Sequence, residues 1–169
     1  MKYYAGIGSR ETPPEVLERM EKIGGFLARK GYTLRSGGAR GADSAFERGA
    51  DFAKGPKEVW NPRDENIFPH LWATEKASAT CWEFPLERMK SYTIQLITRN
   101  MYQIFGDDEK DLKPVDFVIY YSPADPSQKG RESGGTRYAV RAALEENIPC
   151  FNLRNQAEEL ALFLKKISP

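Results

Sequence analysis

Three times in this chain a β-prone run enters glycines and is followed by a helix-start pattern, and that repetition constrains the fold more than any other feature. The clearest case runs from Tyr32 to Ala50, where Tyr32-Thr33-Leu34-Arg35 leads into Ser36-Gly37-Gly38-Ala39-Arg40-Gly41-Ala42-Asp43. Gly37, Gly38 and Gly41 permit positive φ and let a ligand approach bare backbone, at an entropic cost. A helix beginning directly afterwards gathers N–H groups at its positive end, the elementary design for holding an anion. A tight strand-to-helix turn without a ligand is the alternative. The other two cases are Gly6-Ile7-Gly8-Ser9-Arg10 after Lys2 to Ile7, and Gly130-Arg131-Glu132-Ser133-Gly134-Gly135-Thr136 after a Pro/Ser loop.

The rest of the chain fits a parallel sheet covered by helices, because parallel neighbours need crossover connections. After Thr12-Pro13-Pro14, apolar residues at helical spacing (Val16, Leu17, Met20, Ile23, Phe26, Leu27) predict a helix stopping at Gly31, and Gly24 and Gly25 inside it suit close packing against the sheet or are a plain weak point. Further helices are predicted from Gly41 to Lys54, from Pro85 to Phe105, from Thr136 through Leu144 and from Gln156 to Ile167. Strands are predicted at Tyr32 to Arg35, Lys57 to Asn61, Val115 to Tyr121 and Pro149 to Leu153, with the apolar run at 115–121 buried in the sheet. Pro62 to Phe84 shows no period. Its Trp72, Trp82 and His70 could belong to a lid that stacks on a base, or could pin the segment to the core. The predicted architecture is α/β: a single Rossmann-like three-layer domain over residues 1–169, with a mainly parallel sheet and helices on both faces.

The 169 residues, 40% of them apolar, suffice for a substantial core. With 25 basic against 24 acidic side chains, no global charge marks a nucleic-acid or membrane binder. The absence of a long apolar run or a signal-like start points to the cytoplasm, with no membrane partner. Cys81 and Cys150 have no neighbouring ligands at metal spacing and His70 is the sole histidine, so neither a metal site nor a resident cofactor is expected.

In a parallel sheet all strand-to-helix turns lie at the carboxyl edge, so the three glycine loops are expected to meet around one anionic ligand, with phosphate the leading choice. The spacing does not fit Walker A, since no Gly-Lys-Ser/Thr closes the loop. It does not fit the dinucleotide fingerprint either, since Gly6 and Gly8 are followed by Glu11 instead of a third glycine. Phosphate-binding candidates are Gly8, Ser9, Arg10, Ser36, Gly37, Gly38, Arg40, Gly41, Ser133, Gly134, Gly135 and Thr136.

These patches resemble the SLOG superfamily, the Rossmann-like group containing the DNA-processing protein A (Smf) proteins and the lonely-guy phosphoribohydrolases. Ser36 to Asp43 is similar to the Ser-Gly-x-Ala-Arg-Gly-Ile-Asp motif of the first group, and Gly6 to Arg10 resembles its first loop. Ser133-Gly134-Gly135-Thr136 resembles the phosphate segment of the phosphoribohydrolases, and Arg99-Asn100 stands where their Arg-Lys pair precedes the central strand. The resemblance implies a nucleotide or nucleotide-derived ligand, with hydrolysis of the N-glycosidic bond of a nucleoside monophosphate as the candidate reaction. A non-catalytic nucleotide sensor or a single-stranded DNA binder is the alternative, and a homodimer fits the pattern of relatives that build sites across subunits. The phosphoribohydrolases follow their threonine with paired glutamates, but Arg137-Tyr138-Ala139 stand here. Glu132, Asp43 or Glu47 could supply the missing carboxylate, with Arg99 as the catalytic cation. Read locally, the same residues are a loop charge, a first-turn helix acid, a solvated acid and a solvated base.

Overall fold

Parallel pairing throughout builds a five-stranded sheet in the order β3-β2-β1-β4-β5. In the computed structural model, which describes residues 1–61, 70–80, 85–126 and 135–167, the strands are β1 (Lys2–Gly8), β2 (Tyr32–Ser36), β3 (Lys57–Val59), β4 (Phe117–Tyr121) and β5 (Cys150–Asn152). The helices are α1 (Pro14–Arg29), α2 (Ala42–Phe52), α3 (Leu71–Thr80), α4 (Ser91–Phe105), α5 (Thr136–Glu145) and α6 (Ala157–Ile167). The chain begins at the centre of the sheet, moves outward through β2 and β3, then returns to place β4 on the other side of β1. That reversal puts a crevice between the carboxyl ends of β1 and β4, where a Rossmann-like sheet takes its ligands.

Alternation along each strand divides the core in two. Tyr4, Phe117 and Ile119 join the layer that holds Met20 and Leu27 of α1, Phe46 of α2 and Leu160 of α6. Ala5, Ile7, Val118 and Tyr120 face Ala73 of α3, Met101 of α4 and Ala139 of α5. Tyr4 stacks on Phe117 with ring centroids 5.9 Å apart, and Phe163 of α6 meets the edge of Phe117 at 5.1 Å. Buried Arg35 carries charge into the second layer, where Glu58 pairs with it at 2.7 Å, the Tyr3 ring lies 4.0 Å away and the Lys113 carbonyl accepts from it.

Several boundaries move for local reasons. The strand predicted from Val115 begins at Phe117, because Asp116 closes its start, accepting from the Tyr3 amide at 3.1 Å and returning its own N–H to the Tyr3 carbonyl at 2.9 Å. The helix predicted from Pro85 to Phe105 is split into a 3-10 turn at Leu86–Arg88 and α4, with extended backbone at Met89 and Lys90 between them. Part of the unread stretch 62–84 is α3, which buries Ala73, Ala77 and Thr80 and so carries almost no large apolar face. Trp72 and His70 pack against Tyr102 of α4, at 5.8 and 5.7 Å between ring centroids, which is the pinning role. Trp82 and Cys81 lie outside the described residues. Among the described residues, no helix is long and apolar enough to cross a membrane.

The glycines inside α1 pack closely, but against the backbone of α2 and not against the sheet. A Cβ on Gly24 would stand 2.6 Å from the Phe46 carbonyl oxygen of α2, and one on Gly49 would meet the Glu21 carbonyl oxygen and lie 2.8 Å from the Gly25 nitrogen. Both obstacles are backbone, so two helices rather than one side chain must move. Gly49→Ala is expected to destabilise the protein by about 1–3 kcal/mol, the usual cost of overpacking, read as a lower midpoint in urea denaturation. An unchanged midpoint contradicts the close α1–α2 approach.

Candidate functional site

The carboxyl end of β1, the turn from β2 into α2 and the start of α5 surround a cavity of about 660 Å³, with α4 laid along one side. Gly8, Ser9 and Arg10 from the first loop, Ala39 and Asp43 from the second, and Gly135 and Thr136 from the third all line it. A second cavity of about 500 Å³ adjoins it, bordered by Gly37, Gly38, Arg40, Asn61 and Tyr92, and shares Arg10, Glu11, Ala39 and Arg99 with the first. The first two loops are also joined directly. The Ser9 carbonyl accepts from the Ala42 amide at 3.4 Å and from the Thr12 hydroxyl at 2.7 Å, while the Ser9 amide donates to Tyr121 at the end of β4, 3.1 Å away.

Two consecutive residues of α4 fasten the other loops. Arg99 donates through Nη1 to the Gly37 carbonyl at 2.7 Å, and Asn100 donates through Nδ2 to the Gly135 carbonyl at 2.9 Å. Successive helical side chains diverge by about 100°, so one turn of α4 reaches both loops. A Cβ at Gly37 would lie 2.6 Å from Arg99 Nη1, so a larger residue there displaces the guanidinium from this contact. Arg99 is thus a tethered wall of the cavity and not the solvated base that its local sequence suggests; burial pulls its guanidinium below the ordinary value, opposed by the negative charge of Asp43.

The glycine loop itself is filled from within the chain. Asp43 and Glu47 are four residues apart on α2 and turn back toward the loop that precedes their helix. Asp43 Oδ2 accepts from the Gly37 and Ala39 amides at 3.1 and 3.4 Å, and Glu47 Oε1 accepts from the Gly38 amide at 3.2 Å and the Ser36 hydroxyl at 2.6 Å. The N–H groups that the sequence offers to a phosphate therefore already hold two carboxylates. Glu47 is a positioning residue here, and Ser36 is fully buried behind the loop. Gly41, at φ +88°, turns the chain into α2 with its α-carbon side against the backbone of Ser9 and Arg10.

Asp43 combines that loop role with a place on the cavity wall. It is 3% exposed, and burial pushes its carboxyl up to about 6, opposed by the charge of Arg99 and the Ala39 amide. Further along α4, Gln103 and Asn100 are buried polar residues that line the cavity beside apolar Leu96 and Ile97. Sequence reasoning missed Gln103, although its spacing from Asn100 and Leu96 along one helical face is the signal that could have revealed it. Arg137 and Tyr138, at the positions where paired glutamates are absent, are buried and line the cavity, with Arg137 donating to the Tyr138 hydroxyl at 2.8 Å. Glu132, Ser133 and Gly134 lie outside the described residues.

A parallel, doubly covered sheet with a cavity at its carboxyl edge defines a Rossmann-like α/β protein. No protein-family model matches the chain, and no curated protein matches it. Among solved structures it is similar to DNA processing protein A from Helicobacter pylori, with 19% sequence identity and a TM-score of 0.49 over 98% of this chain and 72% of that one. That structure was described for its single-stranded DNA binding mode.

The raised carboxyl has a consequence for stability. Between the unfolded aspartate value near 3.9 and about 6, the native chain retains a proton that the unfolded chain has released, so this group's contribution is fullest below about pH 4 and declines as pH rises to 6. Relative to Asp43→Asn, wild-type stability in urea denaturation is expected to fall by on the order of 3 kcal/mol between about pH 4 and pH 7. A difference that stays flat over that range contradicts a buried, unsettled carboxyl at this position.

Proposed function

We propose that the protein binds a nucleotide through its phosphate in the larger cavity and hydrolyses the N-glycosidic bond of a nucleoside monophosphate. The observation that carries this reading is the meeting of Asp43, Arg99 and the first turn of α5 on one cavity at the sheet's carboxyl edge. The α5 N-terminus and the Thr136 hydroxyl offer donors to a phosphate, and Arg99 supplies a fixed positive charge. Ile7, Met89, Leu96 and Ile97 give an apolar wall suited to a base. A volume of about 660 Å³ lies in the ordinary range for small-ligand cavities.

In that arrangement Asp43 is the candidate catalytic carboxylate. Ionised above about pH 6, it stabilises positive charge developing at the sugar C1 atom and accepts a proton from the attacking water. Water's oxygen forms the new bond to C1, the C–N bond breaks with its electron pair going to the base nitrogen, and the proton that Asp43 took from water passes through solvent to that nitrogen, giving free base and ribose 5-phosphate and restoring the carboxylate. Glu132 is the competing carboxylate from the sequence. One observation favours a second reading, a non-catalytic sensor: the first turn of α5 carries no acid, with Arg137 and Tyr138 in its place.

Purified protein incubated with the common nucleoside monophosphates, analysed by chromatography for free base and by calorimetry for binding, tests these readings. Base release is expected, and Asp43→Asn is expected to reduce it by about a hundredfold or more while binding persists. Loss in Glu132→Gln alone moves the carboxylate role to that residue. Binding without release selects the sensor. Absence of nucleotide binding together with a steeply salt-dependent shift of labelled single-stranded DNA overturns the nucleotide reading.

A further inference from the structure

We infer that the ligand carries a pyrophosphate, with a second anionic group seated in the smaller cavity against Arg10, Arg40 and Arg99. This rests on the nucleotide reading of the larger cavity and extends it to the class of nucleotide bound.

The two cavities have different chemistry. The larger joins an apolar wall to Asp43 and the α5 start, whereas the smaller, among the described residues, is bordered by Arg10, Arg40 and Arg99 with Glu11 as the acid. At about 660 Å³ the larger is by itself sufficient for a mononucleotide, so such a ligand leaves the adjoining 500 Å³ and its cations without a counterpart. The two spaces share Arg10, Glu11, Ala39 and Arg99 in their linings, so two arginines face both.

Of the three cations of the smaller cavity, Arg99 faces the charge of Asp43, whereas Arg10 and Arg40 are exposed and have no acid paired with them among the described residues. Arg10 and Arg40 make no side-chain hydrogen bond or ion pair among the described residues, and the two acids that contact the loop beside them are engaged elsewhere, Asp43 by the Gly37 and Ala39 amides and Glu47 by Ser36 and Gly38. Arg10 also stands close enough to Arg99 for its charge to oppose the second guanidinium. Arg99 has a buried Nε without a hydrogen-bond partner while its Nη1 is held by Gly37. Gathered like charges of this kind favour a multiply charged anion, and guanidinium groups match phosphate oxygens in bidentate geometry. The amides of Gly37, Gly38 and Ala39 cannot serve that anion while Asp43 and Glu47 occupy them, which leaves recognition to the arginine side chains.

Calorimetry at fixed ionic strength with a nucleoside monophosphate, the matching diphosphate and a nucleoside diphosphate sugar tests the inference, the last two arms separating a free from an esterified pyrophosphate. At least one pyrophosphate ligand is expected to bind tenfold or more tightly than the monophosphate. Arg40→Gln, a change at an exposed side chain of the smaller cavity, is expected to bring that ratio close to one. Monophosphate binding with no gain for either pyrophosphate ligand overturns this inference and leaves the nucleotide reading standing. A preference that survives both Arg40→Gln and Arg10→Gln also overturns it. If none of the three ligands binds, the nucleotide reading itself fails.

Discussion

The paired tether from α4, Arg99 to the Gly37 carbonyl and Asn100 to the Gly135 carbonyl, is the constraint on which the site depends. The sheet places three loops at one edge, but a topology alone leaves each loop free to choose its own conformation. Two adjacent side chains on one rigid helix set the distance between the second and third loops, and the Ser9 contacts to Ala42 and Tyr121 set that of the first. The cavity is therefore defined by helix and strand geometry, which supports a more exact placement of functional groups than loops holding one another.

The second constraint is the occupation of the glycine loop by Asp43 and Glu47. Carboxylates near a helix N-terminus are favourable, and amides that would otherwise be buried without partners gain acceptors. This arrangement leaves Asp43 in two roles whose demands differ. Hydrogen bonds to the loop favour its ionised form, whereas burial resists it, and the balance falls near pH 6. A carboxyl poised in that range can be ionised at neutral pH and still exchange a proton at modest cost, which is the property required of an acid–base group. The loop consequently shapes and charges the cavity instead of presenting its amides to a ligand.

The sequence made the architecture legible because strand, glycine turn and amphipathic helix recur with short links. It also made the convergence of loops legible, since parallel strands place every such turn at one edge. Three things were hidden for physical reasons. Helix α3 buries alanines and a threonine, so it has no apolar stripe to read. Arg99 and Asn100 look like ordinary polar residues of a helix, and only the neighbouring loops, distant in sequence, make them tethers. The destination of the loop amides was also invisible: Asp43 and Glu47 have the spacing of a solvated or dipole-complementing pair, and nothing local says that both turn back to the glycines. Gly24 and Gly25 were readable as packing residues because a helix tolerates their cost where another element comes close, but the expected partner was the sheet and the actual one is the backbone of α2.

The most direct measurement is a crystal structure of the protein with a bound nucleoside monophosphate. The phosphate is expected at the first turn of α5 beside Arg99, with Asp43 and Glu47 still accepting from the Gly37, Gly38 and Ala39 amides. A phosphate seated on those three amides with the two carboxylates displaced, or a nucleotide bound away from the carboxyl edge of the sheet, contradicts the assignment.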